Sequence, residues 1–252
     1  MKTGRSKDGA RRRVALVSGA SGGLGRAIAV KLGAAGYAVA VHYHRADAAA
    51  SRICRAIRRA GGQAITCRAD LEDRAAVEVL VEDILRRWRR LDLLVHNAGG
   101  LRDGLLLRMP SADWHHVIAT HLTGGFHLLQ LAGRAMRRQR QGHIVTIGSL
   151  AGSAGRAGQA NYAAAKAGLV ALTRSAAREW GPHRVQVNCV VPGVLAAGMG
   201  ARISPLQRAR LTRGQLLRHD ATADETADWI VTLSRTRGVS GQLFHLDSRL
   251  AG

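Results

Sequence analysis

At 252 residues, 46% hydrophobic but only 4% aromatic, the chain is long enough to bury an aliphatic core without disulfide or metal staples. Its three cysteines, Cys54, Cys67 and Cys189, are odd in number and lack C-x-x-C spacing, which excludes a disulfide framework and a zinc site and points to a reducing, cytoplasmic compartment. The formal net charge of +21 rests almost wholly on Arg, since only four lysines occur (Lys2, Lys7, Lys31, Lys166), and such a field draws polyanions: nucleic acid, an acidic carrier protein or a phosphorylated small molecule.

In chain order, residues 1–12 read as a basic flexible tail with no apolar stretch of signal-peptide length behind it, and 13–252 as a single domain. The first strand, Val14–Val17, runs into the turn Ser18-Gly19-Ala20-Ser21-Gly22-Gly23-Leu24-Gly25 and a helix over 24–35. Strands follow at 38–42, 64–67, 93–97, 144–147, 185–191 and 242–246. Helices over 46–59, 74–87, 113–138 and 163–180 lie between them, and Thr222 with Glu225 forms a capping box opening a last helix through Leu233. The run Arg86-Arg87-Trp88-Arg89-Arg90 closes a helix, where cations complement the dipole; a solvated helix end is a better reading than a nucleic-acid patch. No apolar run approaches membrane length. Seven short apolar strands alternating with helices predict a doubly wound parallel sheet with helices on both faces. Its ligand site should lie beyond the carboxyl ends of the strands, where strand order reverses.

The glycine turn sits where that rule wants a ligand. Gly19, Ser21, Gly23, Leu24 and Gly25 stand between a first strand and a helix, where backbone N–H groups can approach a pyrophosphate. About 20 residues on, an acid would bind the ribose 2′-OH of NAD(H). The chain instead reads His42-Tyr43-His44-Arg45, so His44 and Arg45 are candidates to hold the 2′-phosphate of NADP(H). The competing reading is that Arg45 is one more surface Arg. The chemistry is assigned to Ser149, at a strand end, with Tyr162 thirteen residues later and Lys166 one helical turn beyond. A fixed cation should lower the phenol pKa from its usual value of about 10 towards neutrality, while Ser149 orients a carbonyl.

Together these residues resemble the short-chain dehydrogenase/reductase family, a Rossmann-type fold, over residues 13–248. Ser18 stands for the Thr of that family's T-G-x-x-x-G-x-G turn. Asp70-Leu71 resembles its adenine contact, and His96-Asn97-Ala98-Gly99 its N-N-A-G motif, so Asn97, Ala98 and Gly99 join the expected cofactor site. Pro192-Gly193 matches the turn after the sixth strand, and Ser149, Tyr162 and Lys166 match the catalytic Ser, Tyr and Lys.

Within the family the likeness is to 3-oxoacyl-[acyl carrier protein] reductases, carried by the stretches from Asn97 to Met109 and from Gly158 to Gly168. The resemblance implies NADPH-dependent reduction of a 3-oxoacyl thioester linked to carrier protein or CoA, with the chain as a dimer or tetramer. Arg140 matches a position that grips the acidic carrier, and His183, beside Arg184, a second. Two positions depart: His121 replaces the Asn that anchors a water relay to the Lys, and Ala197 stands where a Thr usually holds the nicotinamide carboxamide. His121 is carried forward as a candidate relay residue. The alternatives are a reductase of a free ketone or alcohol, and a weakly catalytic cofactor-binding paralogue acting in a hetero-oligomer or as a regulator.

Overall fold

The computed structural model describes residues 12–195, 198, 203–217 and 221–249. All but Arg12 of the expected basic tail lies outside them, as does Ala197.

Strand β1 (Val14–Val17) leads into helix α1 (Gly23–Ala34), followed by β2 (Ala38–Tyr43), α2 (Asp47–Arg59), β3 (Gln63–Arg68), α3 (Arg74–Trp88) and β4 (Leu93–His96). The second half runs α4 (Ser111–Ile118), α5 (Gly124–Gln139), β5 (Gly142–Ile147), α6 (Ala151–Ala154), α7 (Ala160–Trp180), β6 (Val185–Pro192), α8 (Pro205–Thr212), α9 (Ala223–Leu233) and β7 (Leu243–Leu246). The strands form one seven-stranded sheet in the order β3-β2-β1-β4-β5-β6-β7, every pairing parallel.

Side chains alternate between the two faces along each strand. In β1 and β2, Ala15, Val17, Val39 and Val41 meet Ile28 and Leu32 of α1, Ile53 and Ile57 of α2 and Ile230 of α9. Their neighbours Val14, Leu16, Ala38 and Ala40 meet Val77 and Leu80 of α3 and Leu128 and Leu129 of α5 on the other face. Both faces are covered, which is why the central strands read as unbroken apolar runs. The edge strand β3 is more exposed: only Ala64 and Cys67 are buried, one toward each face of the sheet. Strand order reverses between β1 and β4, so the crevice at their carboxyl ends is the expected ligand site.

The helix expected over 113–138 is not one helix. A π-helical turn, Ala119–Thr123, separates α4 from α5, and the Gly124 N–H reaches back to the Ala119 carbonyl. Such a turn widens the helix and releases carbonyls from their regular partners. The carbonyl of His121, inside this turn, accepts from the Nε2 of His96 at 3.0 Å. The late capping box is present as read: Thr222 Oγ accepts from the Glu225 backbone N–H, and the Glu225 carboxylate accepts from the Thr222 N–H.

Candidate active site

The glycine turn is built for close backbone approach. Gly19 has φ +61°, and a Cβ there would lie 2.7 Å from Ala98 Cα; one on Gly25 would lie 2.3 Å from Gly19 O. Around Gly22 nothing lies within 4 Å of the Cβ position. Helix α1 starts with no side-chain cap and no acid in its first turn, leaving its leading N–H donors to an anion. Ser21 and Gly23 flank that opening, whereas Leu24 packs into the core. These features fit the pyrophosphate of a dinucleotide. The turn is braced by Asn97, whose Nδ2 donates to Ser18 O (3.2 Å) and Gly19 O (3.1 Å). Ser18 Oγ accepts from the backbone N–H groups of Asn97 and Ala98, each at 3.0 Å.

His42 is a site residue that sequence reasoning passed over. It is buried at the end of β2, its Nδ1 accepts the Gly19 N–H at 3.1 Å, and its Nε2 donates to Ala69 O at 3.1 Å. Burial pushes its pKa down to about 4, which keeps the acceptor nitrogen free of a proton at neutral pH. His44 and Arg45 are exposed just past the strand. Asp70, across the mouth on the segment after β3, lies 3.7 Å from His44 Nε2. Leu71 is buried in the core, and its carbonyl accepts from His127 Nδ1.

Ser149 follows β5 by two residues, at the carboxyl edge of the sheet, and Tyr162 and Lys166 occupy the buried face of α7. The Ser149 hydroxyl lies near enough to the Tyr162 phenol to favour its ionised form. Lys166 Nζ stands 5.7 Å from the Tyr162 ring centre and donates to Ile147 O at 2.6 Å. One electrostatic expectation is reversed. Burial raises the Tyr162 pKa and Asp103 adds to it, with the Ser149 hydroxyl and Arg156 only partly opposing. The Lys166 ammonium is itself burdened by burial, which lowers its pKa to about 8. The phenol is therefore protonated near neutrality, the form a general acid needs.

The start of α7 is tied to the segment after β4. Asn161 Oδ1 accepts the Tyr162 N–H at 2.7 Å, while its Nδ2 donates to Arg102 O (2.9 Å) and Asp113 O (3.3 Å). Gln159 Nε2 donates to both Asp103 carboxylate oxygens, and Gly104 N–H to Gly158 O. The two stretches that resembled the reductases are thus in contact, and Leu105–Leu107 stand exposed beside them.

His121 is fully buried, edge-on to the Tyr162 ring at 5.1 Å between centres. Its Nε2 lies 3.0 Å from Gly100 N and 2.8 Å from Gly100 O, and its Nδ1 is buried without a partner. A Cβ on Gly99 would collide with its ring. Burial, with Lys166 adding to it, holds the imidazole pKa well below 6.5. The ring is therefore neutral near pH 7. Pro192 and Gly193 end β6 beside β7; a Cβ on Gly193 would lie 3.0 Å from Asp247 Cβ.

Arg140 and His183 are not brought to this site. Arg140 caps the end of α5 and precedes β5, and His183 lies in the turn before β6, so both sit at the amino edge of the sheet. The six residues of β5 put roughly 20 Å between that edge and Ser149. Arg137 Nη2 donates to His183 Nε2 at 3.2 Å, joining the two helix ends in one basic patch.

The family model for short chain dehydrogenases matches residues 13–207. The 3-oxoacyl-[acyl-carrier-protein] reductase FabG of Staphylococcus aureus is 38% identical over 236 residues, 92% of this chain and 96% of that protein. The 3-oxoacyl-[acyl-carrier-protein] reductase of Synechocystis is 38% identical over 238 residues, 93% and 95% of the two chains. FabG of Staphylococcus epidermidis is 34% identical over 235 residues, 92% and 96%. With a parallel seven-stranded sheet, an anion-ready glycine turn and this much shared sequence, the chain belongs to the short-chain dehydrogenase/reductase family and is an oxidoreductase acting on CH–OH and C=O groups.

Proposed function

We propose that the protein reduces a 3-oxoacyl thioester, linked to a carrier protein or CoA, to the 3-hydroxyacyl thioester with NADPH. The observation that carries this reading is the pairing of Tyr162 and Lys166 on the buried face of α7, with Ser149 close by at the sheet edge that bears the glycine turn. The names and coverage of the similar reductases, and the joined segments around Asp103 and Gln159, favour the thioester over a free ketone.

Each residue has a separate task. The open start of α1 and Gly19 receive the pyrophosphate, Asp70 faces the adenosine end, and His44 with Arg45 meets the 2′-phosphate. Asn97, Ala98 and Gly99 form the wall between that turn and the reacting carbonyl, and Pro192-Gly193 flanks the nicotinamide side. A dinucleotide bound there would supply the hydride that the carbonyl carbon takes up. As the C=O electron pair moves onto oxygen, Ser149 donates a hydrogen bond to it and Tyr162 delivers its phenolic proton. Lys166, anchored on Ile147 O, places positive charge beside the phenolate that remains. His121 Nδ1, buried beside Tyr162, is a polar site that can hold a water on the path by which solvent returns a proton to the Tyr162 phenolate, with the imidazole itself staying neutral.

The basic patch of Arg137, Arg140, His183 and Arg184 suits an acidic carrier. The patch lies at the opposite sheet edge from Ser149, which suits a carrier that serves the site of another copy in a homo-oligomer. We assign it to the cytoplasm, in keeping with three free buried cysteines. Among the described residues no helix is long and apolar enough to cross a membrane.

The test is NADPH oxidation with an acyl-carrier substrate, acetoacetyl-CoA and simple ketones side by side. The thioesters should dominate, and kcat/KM for the carrier substrate should fall with salt faster than for the CoA ester, since salt screens exposed charge beyond about 8–10 Å. Preference for a free ketone would overturn the thioester assignment; parallel salt curves would remove the carrier patch.

A further inference from the structure

His96 is fully buried where β4 ends, and both its ring nitrogens are committed. Ser18 Oγ already accepts two backbone N–H groups, so its own hydrogen is left to point at His96 Nδ1, 3.1 Å away. Nδ1 is then the acceptor, the hydrogen sits on Nε2, and Nε2 donates to the His121 carbonyl in the π turn. The bonds run in one direction, from the cofactor turn through the imidazole to the segment whose side chain packs on Tyr162. Gly125 makes room for the ring: a Cβ there would lie 2.9 Å from His96 Nε2. An Asn in place of His96 could still accept from Ser18, but its carboxamide ends level with Nδ1 and falls short of the His121 carbonyl by the width of the ring.

We propose that His96 is a positioning residue: it fixes the π turn, and with it the His121 face against which Tyr162 rests, to the cofactor turn through the path Ser18–His96–His121. The proposal rests on Tyr162 being the proton donor, and it assigns His96 no contact with substrate. Its tautomer is locked by Ser18, and its Nε2 bond holds the carbonyl of a residue in the middle of the π turn. Loosening that carbonyl lets the Tyr162 wall drift, and small misplacements of reacting groups are costly in rate.

The test combines His96→Asn, Gly125→Ala and the double variant. His96→Asn should lower kcat about ten-fold or more while KM and the NADPH dissociation constant stay within about three-fold. Gly125→Ala should produce a similar loss with His96 present and much less additional loss in the His96→Asn background, because the imidazole it crowds is gone and only the movable end of Leu169, 3.1 Å away, is left to give. Nitrogen-15 shifts of the His96 ring should report the Nε2–H tautomer whether or not any substrate is turned over. An unchanged kcat in His96→Asn, additive losses in the double variant, or an Nδ1–H tautomer would each overturn the proposal. If His96→Asn fails to fold, the Gly125→Ala rate and the tautomer still decide it. Near-normal turnover by Tyr162→Phe would instead mark failure of the underlying catalytic reading.

Discussion

Acid should unfold this protein well before ordinary carboxylate titration begins, and the reason is its buried imidazoles. His42, His96 and His143 each have a pKa pushed down to about 4 by burial, and His121 is held well below 6.5. In the unfolded chain each returns to about 6.5, so between pH 6.5 and 4 the unfolded state binds protons that the folded state refuses. The stability these groups permit is complete above pH 6.5 and is lost as pH falls towards 4. Each contributes a slope of about 1.4 kcal/mol per pH unit, so lowering pH from 7.5 to 5.5 costs about 5 kcal/mol across the four. For a chain of this size that is a fall in Tm of about 10–20 °C, a large part of a typical total stability of about 5–15 kcal/mol. Denaturation followed at pH 7.5, 6.5 and 5.5, at fixed protein concentration and ionic strength, measures it directly. A Tm constant to within a degree or two over that range would refute the reasoning, because four imidazoles kept neutral by burial cannot be neutral in water at pH 5.5.

Three further outcomes follow from the site. Tyr162→Phe should retain NADPH binding and lose roughly a hundred- to ten-thousand-fold in kcat, the usual worth of a positioned acid; near-normal turnover would remove Tyr162 from the chemistry. The unmodified protein should bind NADPH more tightly than NADH by fluorescence titration, and Arg45→Asp should erase or reverse the ratio; equal affinities at the outset would make Arg45 a surface residue only. His121→Ala should slow turnover with little change in NADPH affinity and His121→Asn should restore it, while the unmodified kcat profile shows no step near pH 6.5; equal rates in all three would reduce His121 to packing.

What could be read along the chain was what the chain places close together. The glycine turn lies between a strand and a helix in a single short stretch, and Tyr162 and Lys166 share a helix face by their spacing alone. The sheet was legible because a strand buried on both faces has to be apolar throughout, and six consecutive buried residues in β2 and in β5 satisfy that condition. What escaped depends on bonds between distant residues: Gly19 to His42 spans 23 positions, His96 to His121 spans 25, and Ser18 to His96 spans 78. A histidine in a strand gives no local sign of whether it titrates or serves as a fixed, neutral acceptor; burial decides, and burial is a property of the whole fold.

The π turn escaped for a related reason. The apolar pattern over 113–138 is continuous, and the extra residue is accommodated only because Gly124 can pack against Leu71 and Gly125 against His96. Those two glycines read in sequence as weak points of one helix, and in space as the room that two other segments need. The same logic separates Arg140 from Ser149. They are nine positions apart, yet an intervening strand buried along its whole length sends them to opposite edges of the sheet. Nearness in sequence predicts nearness in space along a helix, where four residues complete a turn, and predicts separation along a strand. A basic residue just before β5 therefore belongs to a different surface from the serine just after it. Any joint action of the two on one substrate has to reach across the length of that strand.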